Sequence, residues 1–109
     1  MSRHNMELPS TTAAGKALVV VGYQTGLKGP HFFCYLFDMT EPMATPLWNS
    51  AFSIEHMHTQ QVDEFDSVLS QWGVVLPDFI RLALAEDWAK NSLNTEYCWQ
   101  EDGTFDQIR

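Results

Sequence analysis

The chain has 109 residues, 45% of them apolar and 18% charged, and a formal net charge of -8. That length fits one domain with a core of its own, and the composition excludes wholesale disorder. The longest apolar run, Ala17 to Val21, is far shorter than the ~20 residues of a bilayer span, and no apolar stretch lies between Arg3 and Lys16 to suggest a signal peptide.

In chain order, residues 1–16, opening "MSRHNMELPSTTAA", show no periodicity and are expected to form a flexible tail. Ala17 to Tyr23 predicts a strand, rich in valine and apolar on both faces. Gln24 to Pro30 is a loop, and Phe32 to Met39 a second strand. "TEPMATP", Thr40 to Pro46, is a loop held open by two prolines, and Leu47 to Phe52 a third strand with Trp48, Ser50 and Phe52 on one face. A helix is predicted from about Gln60 to Trp72, with Val62, Phe65, Val68, Leu69 and Trp72 as its apolar stripe. Thr59 is its expected N-cap and Gly73 its stop. Pro77 opens a second helix that runs to Lys90 or Asn91, with Glu86 and Lys90 in the favourable i,i+4 order. Tyr97 to Trp99 adds a short strand, and the tail 101–109 begins with a turn-forming Asp102-Gly103 pair. The order β-β-β-α-α-β predicts one α+β domain over residues 17–100. It is a three-stranded antiparallel meander with two helices packed on one face and a short C-terminal fourth strand.

The stretches "VVVGY", "FDSVLSQWGVVLPDFIRLALAEDWAKN" and "NTEYCW" resemble small uncharacterised proteins of bacterial plasmids and other accessory DNA. The likeness is one of structural residues over most of 18–99 and carries over no catalytic residue. It implies an accessory or regulatory role in bacterial mobile DNA.

Charge is uneven along the chain. Residues 1–30 carry Arg3, Lys16 and Lys28 against Glu7, and residues 31–109 carry three cations against thirteen acids. Such a surface repels a phosphate backbone, so direct nucleic-acid binding is not expected. It suits solubility or a basic partner, which an acidic surface could block as a mimic of nucleic acid, although the acids are scattered rather than regularly spaced. No membrane association is expected. The cytoplasm is the expected compartment, where Cys34 and Cys98 would be free buried thiols.

The glycines of "LVVVGYQTGLKGPHFF" raise the question of a phosphate loop. Gly22, Gly26 and Gly29 lack the required spacings, Lys28 precedes Gly29 rather than Ser or Thr, and a strand follows where a helix should. The segment reads as a hairpin loop. In "EHMH", His56 and His58 could share a metal, but no third ligand lies at local spacing, so neither metal nor cofactor is expected. Ser50, Ser53 and Asp63 near these histidines form no nucleophile motif. Cys34 lies among apolar neighbours that would quieten it. Asp87 falls beside Ile80, Ala83 and Leu84 on a helical wheel; pairing with Arg81 or Lys90, or capping a backbone group, is favoured over service as an acid. Of Trp48, Trp72, Trp88 and Trp99, most should be core and one or two could anchor an interface.

Two helices cover one face of a small sheet, yet the first two strands are apolar on both. Leu18, Val20, Cys34 and Leu36 are assigned to the core, and Tyr23, Phe33, Tyr35 and Phe37 to an outer, partner-binding face, unless the tails or the 40–46 loop cover it. The resulting expectation is a non-catalytic protein-binding module that self-associates, as a homodimer, or binds another protein. The alternative is a small-molecule binder or enzyme with a pocket between helices and sheet, using Asp87 or His56 and His58.

Overall fold

A computed structural model describes residues 1–12, 14–26, 29–39 and 46–109. The fold is α+β, with β1 (Ser2–Pro9), β2 (Lys16–Gln24), β3 (His31–Asp38), β4 (Trp48–Asn49), β5 (Thr95–Trp99) and β6 (Phe105–Gln107) in one sheet of order β4-β3-β2-β1-β5-β6. All neighbours are antiparallel except β1 and β5, which run parallel. Helix α1 (Asp66–Leu69) is flanked by 3-10 turns at Val62–Phe65 and Ser70–Trp72, and α2 is Asp78–Lys90. No helix among the described residues is long and apolar enough to cross a membrane.

The expected tail is an inner strand. β1 lies between β2 and β5, and its alternate residues Ser2, His4, Met6 and Leu8 are all buried. The first two are polar, which hides the alternation from a hydropathy reading. Each is nonetheless satisfied: the Tyr23 N–H donates to Ser2 Oγ at 3.0 Å, and His4 is bonded through both ring nitrogens. The turn that follows is tied down too, since Ser10 Oγ and the Thr11 N–H both donate to the Trp72 carbonyl. At the other end, residues 105–107 are β6, joined to β5 by a turn around Asp102, whose Oδ1 accepts from the Thr104 N–H and hydroxyl, and Gly103, at φ +86°. The meander expected from three strands is thus part of a wider sheet.

The predicted helices exist with altered ends. Gly73 takes the left-handed conformation at φ 70° that closes the first helical stretch. Thr59 is not its cap: the Thr59 hydroxyl donates to the His56 carbonyl. Pro77 precedes α2 as its N-cap, and Asn91, at φ 50°, ends it. The third predicted strand shrinks to two residues, because the Asn49 side chain accepts from the Ala51 N–H and turns Ser50–Phe52 into a 3-10 helix.

Both helical segments pack on one sheet face. Phe65, Leu69, Val74, Leu76, Ile80 and Leu84 meet Met6, Leu8, Val19, Val21, Cys34 and Leu36, and all four tryptophans pack against this core. The assignment of β2 is therefore corrected: Val19, Val21 and Tyr23 face the helices, while Leu18 and Val20 face away. Both parities of β2 are apolar, so hydropathy alone could not choose. Two contacts choose. The Tyr23 hydroxyl donates to Asn91 Oδ1 at the end of α2, 2.7 Å away. Gly22, on the opposite face, leaves room for the Phe33 ring; a Cβ there would lie 2.4 Å from that ring and 2.0 Å from the Ser2 carbonyl oxygen.

The glycine loop closes a hairpin. Gln24 pairs with His31 across it, and the Gly29 N–H donates to the Gly26 carbonyl. Lys28 and the proline loop at 40–45 lie outside the described residues.

Gly22→Ala is expected to cost about 1–3 kcal/mol or more, because the new methyl group overlaps backbone as well as a ring. Denaturant melts measure this; an unchanged midpoint would contradict the close approach of β1 and β2 at this position.

Candidate functional site

His4 is 2% exposed on β1. Its Nε2 lies 2.6 Å from Asp87 Oδ2 on α2, and Trp99 Nε1 on β5 lies 2.9 Å from its Nδ1. An indole nitrogen only donates, so Nδ1 accepts and the ring proton sits on Nε2, which donates to the carboxylate. Tyr97 stacks on the ring with centroids 5.0 Å apart. The arrangement fastens the central strand to its neighbour and to the helix above. Both expected partners of Asp87 are engaged elsewhere: Arg81 donates to Asp63 and Asp66, at 2.6 Å each, and Lys90 to Glu86. With both nitrogens bonded and the ring buried, His4 has no free lone pair for a substrate proton.

The "EHMH" histidines diverge. The His56 Nε2–H donates to the Glu64 carbonyl at 3.2 Å, and its Nδ1 accepts from the Ser53 hydroxyl at 2.9 Å. Its ring packs between Trp48 and Phe65. The Ser53 contact spans a single turn, which also closes through the His56 N–H on the Ser53 carbonyl. His58 lies instead beside His31, with ring centroids 5.7 Å apart. The His31 nitrogens meet the Gly29 carbonyl and the Gln24 side chain. Among the described residues, no group of three or more His, Cys, Asp or Glu is placed to hold a metal. Ser50 is buried, and its Oγ accepts from the Cys34 N–H.

The helix-free face carries a ladder of rings. Phe33, Tyr35 and Phe37 stand opposite Gly22, Val20 and Leu18, with ring centroids 5.3 and 6.5 Å apart along β3. Val20 and Phe33 are buried there; Leu18, Tyr35 and Phe37 are half-buried. Tyr23, expected on this face, is on the other, as its bond to Asn91 requires. Beside the ladder runs a groove of about 680 Å³, lined by Asn5, Glu7, Lys16, Leu18, Cys98 and Glu101 among others. A smaller cleft of about 390 Å³ lies between β3 and α2, with Phe32, Val62, Arg81, Ala85 and Trp88 in its walls. Neither Asp87 nor the "EHMH" histidines line it.

The two cysteines are free. β3 and β5 are three strand spacings apart, roughly 14 Å at ~4.8 Å each, beyond the ~7 Å that a disulfide allows. Burial pushes the Cys34 thiol well above the ordinary range, so it stays protonated and inert at neutral pH. Cys98 is only half-buried, which corrects the expectation of two buried thiols.

The apolar residues Phe52 and Ile54 give no sign of their exposure in the sequence. Phe52 was expected in a strand, and it is 88% exposed; Ile54 is 93% exposed. Comparison of the chain with family models, with curated proteins and with solved structures yields no match.

Asp87→Ala should destabilise the fold by about 2–3 kcal/mol, since it strands the buried His4 N–H, whereas Asp87→Asn keeps an acceptor and should recover most of the loss. Equal denaturant midpoints for both variants and the parent would show the contact to be idle. Alkylation of the native protein is expected at Cys98, with Cys34 reacting only after unfolding. Mass mapping showing equal rates would contradict the buried environment of Cys34.

Proposed function

We propose that the protein is a non-catalytic module that binds another protein through the helix-free face of its sheet. The observation that carries this reading is the one-sided placement of the helices, which leaves Leu18, Tyr35 and Phe37 half-buried with no helix over them among the described residues. Tyrosine and phenylalanine anchor interfaces because each brings a large, stiff apolar surface. Charge complementarity names the partner's character. Glu7 and Glu101 line the adjoining groove, Asp102 stands with them, and Lys16 is the sole cation among the described residues of that lining. A basic, amphipathic segment fits: its apolar residues on Leu18, Tyr35 and Phe37, its lysines or arginines toward the acids. Its place as an accessory or regulatory protein of bacterial mobile DNA rests on the resemblance alone.

A second reading, a small-molecule binder, is favoured by the cleft between β3 and α2. Phe32 and Trp88 supply apolar walls there, and Arg81, Gln60 and Gln61 supply polar ones. Its volume of about 390 Å³ is at the small end for ligand sites.

Titration of isotope-labelled protein with an amphipathic Leu/Lys peptide separates the two. The expected amide shifts fall on β2, β3 and residues 98–102 and weaken with salt. Replacing Tyr35 and Phe37 by serine should reduce affinity about tenfold, or ~1.4 kcal/mol. Shifts confined to residues 60–63 and 81–88, or none at all, would overturn the sheet-face reading.

A further inference from the structure

We propose that two copies of this chain associate through the loop from Leu47 to Met57, with Phe52 and Ile54 at the contact, a surface separate from the helix-free face.

The loop is braced. Asn49 caps its 3-10 turn, and Ser50 Oγ takes the Cys34 N–H at 3.0 Å. The Thr59 carbonyl takes the Phe32 N–H at 2.8 Å, so both ends are tied to β3. Buried His56 locks the middle through Ser53 and the Glu64 carbonyl. The brace holds the backbone in one shape while Phe52 and Ile54 stand 88% and 93% exposed, with Leu47 and Met57 more than a third exposed in the same stretch. Ordering such a loop before contact removes much of the entropic cost of association, and leaving two large apolar side chains in water is unfavourable unless something covers them.

Charge selects the occupant. Two copies at -8 each repel. Between Glu41 and Glu55 no charged residue occurs, the longest such run in the chain. This is where like copies meet with least repulsion, whereas a basic partner would be drawn to the acids elsewhere. In a two-fold contact the same patch faces itself, so the apolar stretch from Leu47 to Ile54, uncharged up to Glu55, is its own complement. The four exposed side chains leave roughly 500 Å² of apolar surface per copy, and a pair would cover on the order of 1,000 Å², the lower bound for a specific interface. The dimer is accordingly weak and concentration-dependent.

Sedimentation from micromolar to millimolar protein, at low and at high salt, tests this. The expected mass rises from 12.5 kDa toward twice that value, more readily at high salt, where like charges are screened. A Phe52→Ser, Ile54→Ser variant should stay monomeric, with the melting temperature of the wild type at low micromolar concentration where both are monomers, while a Tyr35→Ser, Phe37→Ser variant should still dimerise. A wild type monomeric under every condition overturns the proposal, as does a loop variant that associates like the wild type. So does a sheet-face variant that alone loses association. Binding of a monomeric wild type to phosphatidylcholine vesicles, lost in the loop variant, would assign the loop to a lipid surface instead.

Discussion

The hydrogen bond from His4 to Asp87, held in register by the Trp99 indole, is the contact on which the rest of the architecture depends. It joins the central strand β1 to its parallel neighbour β5 and to α2 above them. A buried carboxylate is costly unless a donor meets it, and a buried imidazole N–H is costly unless an acceptor does. The pair resolves both, and it does so only in one relative position of strand and helix. A buried polar contact thereby favours one registry, because sliding β1 along its neighbours would part His4 from Asp87 and Trp99. We regard its role as specificity of packing more than net stabilisation.

Once β1 is at the centre, the two sheet faces acquire different fates. The helices cover Met6, Leu8, Val19, Val21 and Leu36, and no helix among the described residues lies over the opposite face. Phe33 lies over Gly22, and Tyr35 and Phe37 continue the ladder. The edges are short, two residues in β4 and three in β6, which limits strand-to-strand pairing with other chains. Contact surfaces are thus left to faces and loops. The acid-rimmed sheet face and the loop around Phe52, uncharged from Leu47 to Ile54, differ in electrostatic character, which is why different partners are proposed for them.

Much of this was legible in the residues. The valine run, the aromatic strand, the helical stripe ending at Gly73 and the long helix after Pro77 were each marked by periodicity and by their stop signals. β1 is hidden from hydropathy because the strand buries Ser2 and His4, residues that count as polar until their partners 21 and 83 positions away are known. The parity of β2 is ambiguous in the sequence because Leu18 and Val20 are as apolar as Val19 and Val21. What breaks the tie is a tyrosine hydroxyl that reaches Asn91. The exposed pair Phe52 and Ile54 was obscured by an apparent strand alternation, which Asn49 ends by capping the next turn. In each case the deciding interaction is a long-range or capping hydrogen bond, and hydropathy does not record it.

The central claim, that the N-terminal residues form a locked inner strand, is tested most directly by native-state hydrogen exchange along the intact chain. The amides of β1 should be protected as strongly as those of Val19 to Val21 in β2, because the two strands open only together. Exchange of β1 at the rate of unstructured chain, with β2 and β3 still protected, would contradict the account.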